Sequence, residues 1–177
     1  NALNSANVKI AGGQITNRTT ASHGGNLYVT NQLKDNKIVT TRRLVITGAT
    51  ISGGSAGTEQ ILGEDGTVIQ ESKIGNGGNI WVRAGQVSIS GATITEGSAT
   101  GNGGNIYANQ AQLFDDDPET TANEGGSLTI TGATITGGNA LLSGGNLNVI
   151  LIGDVQMTDC VVSGGSAESN SAKVHGG

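Results

Sequence analysis

The stretch GGNIWVRAGQVSISGATITEGSATGNGGNIYA, from Gly77 to Ala108, holds one complete repeat and the start of the next. It begins with the phrase GGN followed by an apolar–aromatic–apolar triplet, and it returns to that phrase after 26 residues, at Gly103. A second phrase, VSISGATITEGSA, starts inside it at Val87. Self-similarity at a fixed period is the sequence signature of a solenoid, in which each repeat buries its apolar side against its neighbours.

Both phrases recur along the chain. The copies of the first phrase are GGNLYV at Gly24, GGNIWV at Gly77, GGNIYA at Gly103 and GGNLNV at Gly144. The copies of the second phrase are LVITGATISGGSA from Leu44, VSISGATITEGSA from Val87, LTITGATITGGNA from Leu128 and VQMTDCVVSGGSA from Val155, with a weaker copy, VKIAGGQITNRTT, from Val8. The whole chain, residues 1-177, is therefore expected to form a single β-solenoid domain.

Apolar and polar residues alternate within each repeat, which predicts strands and not helices. Three short strands, around Ile80, Ile89 and Ile94, are separated by glycine-rich corners and would make one coil. We therefore predict an all-β fold, a right-handed parallel β-helix with three-strand coils and a bare coil of 26 residues. The handedness follows from the coil length and from the right-handed bias of parallel crossovers.

Composition excludes several other classes of protein. The chain has 31 Gly but only one Pro, so it is neither collagen-like nor a proline-rich linker. A net charge of −5 without a basic stripe argues against a nucleic-acid partner. No apolar run approaches the ~20 residues of a transmembrane helix, so no transmembrane segment is expected.

One asparagine follows each glycine pair. Asparagines stacked at identical turn positions can hydrogen-bond to each other and to the turn backbone, so these residues are expected to form a structural ladder. Its members are Asn26, Asn79, Asn105 and Asn146. The GGN phrase has neither the lysine nor the strand-then-helix context of a phosphate-binding loop.

Two outward columns suggest binding surfaces. Tyr28, Trp81 and Tyr107 are expected to form an exposed aromatic stack, which would either bind sugars on the ring faces or only tighten the coils by mutual stacking. The second column pair carries hydroxyl groups spaced about 7 Å along the strand and about 4.8 Å between strands, an array similar to the ice-facing surface of β-solenoid antifreeze proteins. This hydroxyl face consists of Thr50, Ser52, Thr93, Thr95, Thr134 and Thr136.

Insertions are expected at two corners of the coil. A basic stretch, residues 30–43, and an acidic stretch, residues 109–127, would emerge at one corner, and residues 57–76 at the other. Asp65-Gly66 predicts a small hairpin in the last of these. The acidic run Asp115–Asp117 is either a solvated loop or a calcium site, although the ligand spacing of an EF-hand loop is absent.

No combination of residues suggests catalysis. Cys160 and Met157 fall in columns of small and apolar residues, so both are expected to be core residues. His23 and His175 precede equivalent glycine pairs and are therefore interpreted as one repeated position and not as a catalytic pair. Since no nucleophile, base and orienting group occur together, we expect a protein that is not an enzyme and has neither cofactor nor metal.

The motif LTITxxTIxGGxA, followed by GGN[IL]Y, resembles the right-handed β-helix repeats of adhesin-like secreted proteins, especially those of polymorphic outer-membrane proteins. This resemblance implies an extracellular or cell-surface localisation and a structural, adhesive role. Carbohydrate binding or carbohydrate-active chemistry on a β-helix is the alternative function, and ice binding through the hydroxyl face is the third. The sequon Asn17-Arg18-Thr19 makes Asn17 a candidate glycosylation site.

The two ends of the sequence suggest a partner. His175-Gly176-Gly177 matches the residues before Asn26, and placing it before Asn1 continues the repeat into the copy at Val8. The chain is therefore expected to be a segment of a longer solenoid or to stack end to end with itself in a filament. Surface glycans are the alternative binding partner.

Overall fold

The computed structural model describes residues 7–30, 32–34, 37–40, 43–59, 61–62, 65–70, 72–83, 86–109, 127–150 and 154–168. These residues contain strands, turns and bends but no helix. The prediction of an all-β fold is therefore confirmed for the described part of the chain. The regular stacking of its parallel strands is compatible with a parallel β-helix.

The chain passes through four sheets in turn, and we call each such passage a coil. Coil 1 comprises β1 (Asn7–Ala11), β2 (Gln14–Thr16), β3 (Thr19–Thr20) and β4 (Leu27–Thr30). A hairpin of β5 (Gln32–Lys34) and β6 (Lys37–Thr40) precedes coil 2, which begins with β7 (Arg43–Thr47), β8 (Thr50–Ser52) and β9 (Ser55–Thr58). After β10 (Ile61–Leu62), β11 (Val68–Gln70) and β12 (Lys73–Ile74), coil 2 ends with β13 (Ile80–Arg83).

Coils 3 and 4 repeat this order without described insertions inside them. Coil 3 comprises β14 (Gln86–Ser90), β15 (Thr93–Thr95), β16 (Ser98–Ala99) and β17 (Ile106–Asn109). Coil 4 comprises β18 (Ser127–Thr131), β19 (Thr134–Thr136), β20 (Asn139–Ala140) and β21 (Leu147–Ile150). The described part of coil 5 comprises β22 (Asp154–Thr158), β23 (Val161–Ser163) and β24 (Ser166–Ala167).

Each coil adds one strand to each sheet. Sheet 1 has the order β1-β7-β14-β18-β22, and sheet 2 has the order β2-β8-β15-β19-β23. Sheet 3 contains β9-β16-β20-β24, with β3 parallel and β12 antiparallel to β9, and sheet 4 is β4-β13-β17-β21. The two-residue strand Ser98–Ala99 and its equivalents form sheet 3, which the predicted three-strand coil lacked.

Pairing between coils is parallel and in register. Ile89 is paired with Ile46 on one side and with Ile130 on the other, and Ile130 is paired with Met157. The column of isoleucines that the sequence predicts is therefore present. The predicted Asp65-Gly66 hairpin is also present, because β10 and β11 pair antiparallel and the Asp65 carboxylate accepts a hydrogen bond from the Thr67 N–H.

The core lies between the four sheets and is formed by the inward residue of each apolar–polar alternation. Ile46, Ile89, Ile94, Ile130 and Ile135 are each 0 or 1% exposed. The expectation that Met157 and Cys160 are buried is not met: Met157 is 38% exposed and Cys160 is half-buried. Both lie in coil 5, against which no further described coil packs.

The two glycines of the GGN phrase are required for different physical reasons. Gly77 has a φ of +67°, in the left-handed region that only glycine adopts at little cost. Gly78 has no such requirement, but a Cβ atom there would lie 2.2 Å from the Gly104 carbonyl oxygen of the next coil. The first glycine therefore allows the turn, and the second allows the coils to approach each other.

Candidate functional site

The four asparagines of the GGN phrases form a buried hydrogen-bonded ladder. The Asn26 Nδ2 donates to Asn79 Oδ1 at 2.7 Å, and the Asn79 Nδ2 donates to Asn105 Oδ1 at 2.7 Å. The Asn105 Nδ2 continues the series to Asn146 Oδ1 at 2.8 Å. Asn79 and Asn105 are 0% exposed, and because polar side chains are costly to bury unpaired, the ladder holds its members in one orientation.

Backbone groups complete the hydrogen bonding of the interior members. The Asn79 Oδ1 also accepts the Gly54 N–H at 2.9 Å, and its Nδ2 also donates to the Thr95 carbonyl at 2.8 Å. Asn105 repeats this pattern with Gly97 and Thr136. Each asparagine thereby connects two coils. Its oxygen binds the corner between sheets 2 and 3 in its own coil, and its nitrogen binds the end of the sheet 2 strand in the next coil. This is a structural role.

A second ladder lies three positions earlier in the sequence, at residues that precede the glycine pairs. The Asn76 N–H donates to His23 Nδ1 at 3.1 Å, and the Asn102 N–H donates to Asn76 Oδ1 at 2.8 Å. We call His23, Asn76 and Asn102 the corner ladder. The repeat predicts His23 only as an equivalent of the other residues that precede glycine pairs. The sequence signal for the ladder is that His23, Asn76 and Asn102 each carry a side-chain acceptor.

The electrostatics of His23 follow from this position. Its Nδ1 accepts a backbone N–H, so the folded state needs the neutral imidazole at that atom. Burial, and secondarily the positive charge of Arg83, lower the pKa of His23 from its ordinary value of 6.5. The same ring stacks on Trp81 at a centroid distance of 5.1 Å.

The aromatic column is not the exposed strip that the sequence suggested. Trp81 is 5% exposed and Tyr107 is 7% exposed, while Tyr28 is half-buried. Tyr28 stacks on Trp81 at 4.4 Å, and the Tyr107 hydroxyl accepts a hydrogen bond from Asn109 Nδ2. The correction has a physical reason at Trp81, because the rings of Tyr28 and His23 stack on it and cover it from solvent.

The hydroxyl face lies on the outer side of sheet 2. Thr93 is paired with Thr50 and Thr134, and Thr95 is paired with Ser52 and Thr136, so the hydroxyl residues form two in-register columns. Thr93 is exposed and the other five are half-buried. Sheet 2 is joined to sheets 1 and 3 by two-residue corners in every coil, so no insertion enters on either side of this face.

Several predicted features lie at the edge of the described chain or outside it. Asn17 is exposed at the corner between β2 and β3, with a φ of +54°. The acidic residues Asp115–Asp117, together with Glu119 and Glu124, lie outside the described residues, as does Arg42. Among the residues that are described, no three His, Cys, Asp or Glu side chains are grouped closely enough to hold a metal ion.

The two ends of the coil stack expose apolar residues that lie in core columns. A cavity of about 760 Å³ borders coil 1, and Val8, Ile10, Ile15 and Leu27 line it together with Asn26. At the opposite end Val155, Met157 and Val162 are 42, 38 and 47% exposed. These three residues occupy the columns of Leu128, Ile130 and Ile135, each of which is 0% exposed one coil earlier. The described stack therefore ends in two apolar faces.

Comparisons with protein-family models, with curated proteins and with solved structures find no match to this chain. Across the described ranges, we find no helix with the length and apolar character needed to pass through a membrane.

Proposed function

We propose that the protein is an extracellular structural and adhesive β-solenoid, a right-handed parallel β-helix whose copies stack end to end. The observation that carries this proposal is the pair of apolar faces at the two ends of the described coil stack. An unpaired strand edge with an exposed apolar interior is a template for further pairing, and solenoid ends are ordinarily capped for that reason.

The polar and aromatic side chains of the repeat are consistent with a structural role that needs no catalytic groups. Among the described residues the side chains that repeat from coil to coil are hydroxyl groups, the two asparagine-containing ladders and stacked rings, and none forms a nucleophile with a base and an orienting group. We therefore also propose that the protein is not an enzyme. Burial of Trp81 and Tyr107 counts against the carbohydrate-binding alternative, because a buried ring has no free face for a sugar.

The experiment that tests this proposal measures assembly and turnover of the purified full chain. Sedimentation velocity over a wide concentration range should show growth beyond the 17.6 kDa monomer, and electron microscopy should show filaments. Fibre diffraction of those filaments should contain the inter-strand spacing of about 4.8 Å along the axis. A chain that stays monomeric at all concentrations, or that cleaves pectin or alginate, would contradict the proposal.

One observation favours a second candidate, ice binding through the hydroxyl face. The in-register columns of Thr50, Thr93 and Thr134 belong to a sheet without insertions at its edges, so ice could approach them. Thermal hysteresis of the purified protein would test this function. Thr93→Lys should abolish the hysteresis, whereas Thr129→Lys on the outer side of sheet 1 should leave it unchanged; absence of hysteresis in the parent protein removes the candidate.

A further inference from the structure

The asparagine ladder has a direction. In each of its three side-chain contacts the Nδ2 of the earlier coil donates and the Oδ1 of the later coil accepts. No contact runs the other way, because each amide is held by a backbone N–H on its oxygen and a backbone carbonyl on its nitrogen. The coil stack therefore has an acceptor end and a donor end.

Both terminal members retain unused hydrogen-bonding capacity. Asn26 Oδ1 accepts only the Arg18 N–H at 3.2 Å within the described part of the chain, whereas the interior oxygens accept two N–H groups. Asn146 Nδ2 donates only to the Ser163 carbonyl there, whereas the interior amides donate twice. The two side chains are 5 and 3% exposed, so among the described residues each leaves a buried polar group incompletely paired.

The apolar faces at the two ends correspond column by column. Val8, Ile10 and Ile15 are paired through sheets 1 and 2 with residues whose columns end at Val155, Met157 and Val162. A coil 5 face placed on a coil 1 face in register would therefore continue three core columns and two parallel sheets. Between Asn146 and Asn26 it would leave one ladder position, which needs a group that accepts from the first and donates to the second.

Contacts between like faces lack this correspondence. Two coil 1 faces would bring two Asn26 acceptor ends together, and two coil 5 faces would place two Asn146 donor ends opposite each other across two empty ladder positions. Strands from like faces would also run antiparallel across the joint, whereas every strand that joins successive coils is parallel. On the basis of the proposed end-to-end stacking, we infer that a second copy of this chain docks its coil 5 face on the coil 1 face of the first. Like faces do not pair with each other. Such a heterologous contact propagates and makes a polar filament.

Two variants separate this inference from stacking in general. Ile15→Lys places a charge on the coil 1 face and leaves the coil 5 face intact, and Val162→Lys does the reverse. Each variant alone should sediment as a 17.6 kDa monomer, and an equal mixture should give a heterodimer of twice that mass, closed by a charged face at each end. Thr93→Lys, which adds the same charge on the outer side of sheet 2, should assemble like the parent protein.

The outcomes are distinguishable. If the parent protein assembles but either variant alone forms a dimer, like faces pair and the inferred direction is wrong while stacking stands. If each variant alone assembles like the parent, the coil faces are not the interface, and if both variants are monomeric and their mixture stays monomeric, the coil 5 face does not dock on the coil 1 face. If the parent never assembles, the proposed stacking and this inference both fail. Circular dichroism and thermal melting establish that each variant is folded, and Ile10→Lys with Met157→Lys forms a second pair if one is not.

Discussion

The central coils and the terminal coil contain the same repeat but differ in burial. Ile89 in coil 3 is 1% exposed, whereas Met157, in the same column of coil 5, is 38% exposed. Ile94 and Val162 differ in the same way, at 0 and 47%. The difference teaches that a core residue in this fold is buried by the next coil and not by its own, so stability is approximately a sum of contacts between neighbours.

The largest expected difference concerns a buried charge. Ile89→Asp should lower the free energy of unfolding by roughly 4 kcal/mol or more, because an unpaired carboxylate would be desolvated between two coils. Met157→Asp should cost less than about 1 kcal/mol, since its carboxylate would reach water. Urea unfolding at a protein concentration below the onset of assembly measures both.

Ile89→Val is the matched control for this pair and should cost only about 1 kcal/mol. A folded Ile89→Asp protein with the melting temperature of the parent would show that the assigned columns are wrong. Equal losses for Ile89→Asp and Met157→Asp would show that coil 5 is covered by something in the monomer.

A smaller difference is expected within the asparagine ladder. Asn79→Leu removes four hydrogen bonds and leaves the Gly54 N–H and the Thr95 carbonyl unpaired inside the protein, so it should destabilise by about 3 kcal/mol. Asn26→Leu removes three hydrogen bonds at the end of the ladder and should cost about 2 kcal/mol. Urea unfolding measured with both variants tests the order, and a larger loss for Asn26→Leu would contradict the view that the ladder is weakest at its end.

The corner ladder should make stability depend on pH. Because the pKa of His23 is lowered in the folded state, the unfolded chain binds the proton more readily. Its contribution to stability is therefore complete above pH 6.5 and is lost as the pH falls through the lowered folded-state pKa. The midpoint of thermal unfolding, measured from pH 8 to pH 4, should decrease in that window.

His23→Asn is the matched variant for the pH series. It restores the residue type of Asn76, whose Oδ1 accepts the Asn102 N–H and does not titrate. The decrease in melting temperature attributed to His23 should disappear in this variant. An unchanged pH profile would assign the acid sensitivity to another group.

The smallest effect concerns one corner of coil 3. Glu96 has a φ of +56° at the corner position that Gly53 and Gly137 occupy in coils 2 and 4. Glu96→Gly should raise the free energy of unfolding by about 0.5 to 1 kcal/mol, because relief of left-handed strain exceeds the added entropy of the unfolded chain. Glu96→Ala, which removes the charge but retains the strain, should not stabilise in thermal melts; equal gains would mean that charge is the cause.

The columns of the fold could be read from the repeat, whereas the outer surface could not. Aligning the copies of LTITGATITGGNA places Ile46, Ile89 and Ile130 together without coordinates, because parallel in-register stacking puts like residue on like residue. The same alignment places Tyr28, Trp81 and Tyr107 in one outward column. It does not indicate that Trp81 would be covered, because the covering contact from His23 belongs to a corner outside that column.

The sequence by itself determined the strands, the glycine corners and the membership of each column, because these depend on local conformation and on a period that repeats. The tertiary structure alone decided which residues of a column are buried, the direction of the asparagine ladder and the neutral state of His23. Those properties depend on what the neighbouring coil presents. A periodic sequence specifies that the neighbouring coil is alike, but only the stacked coils show which side chains that neighbour buries and which hydrogen bonds it makes.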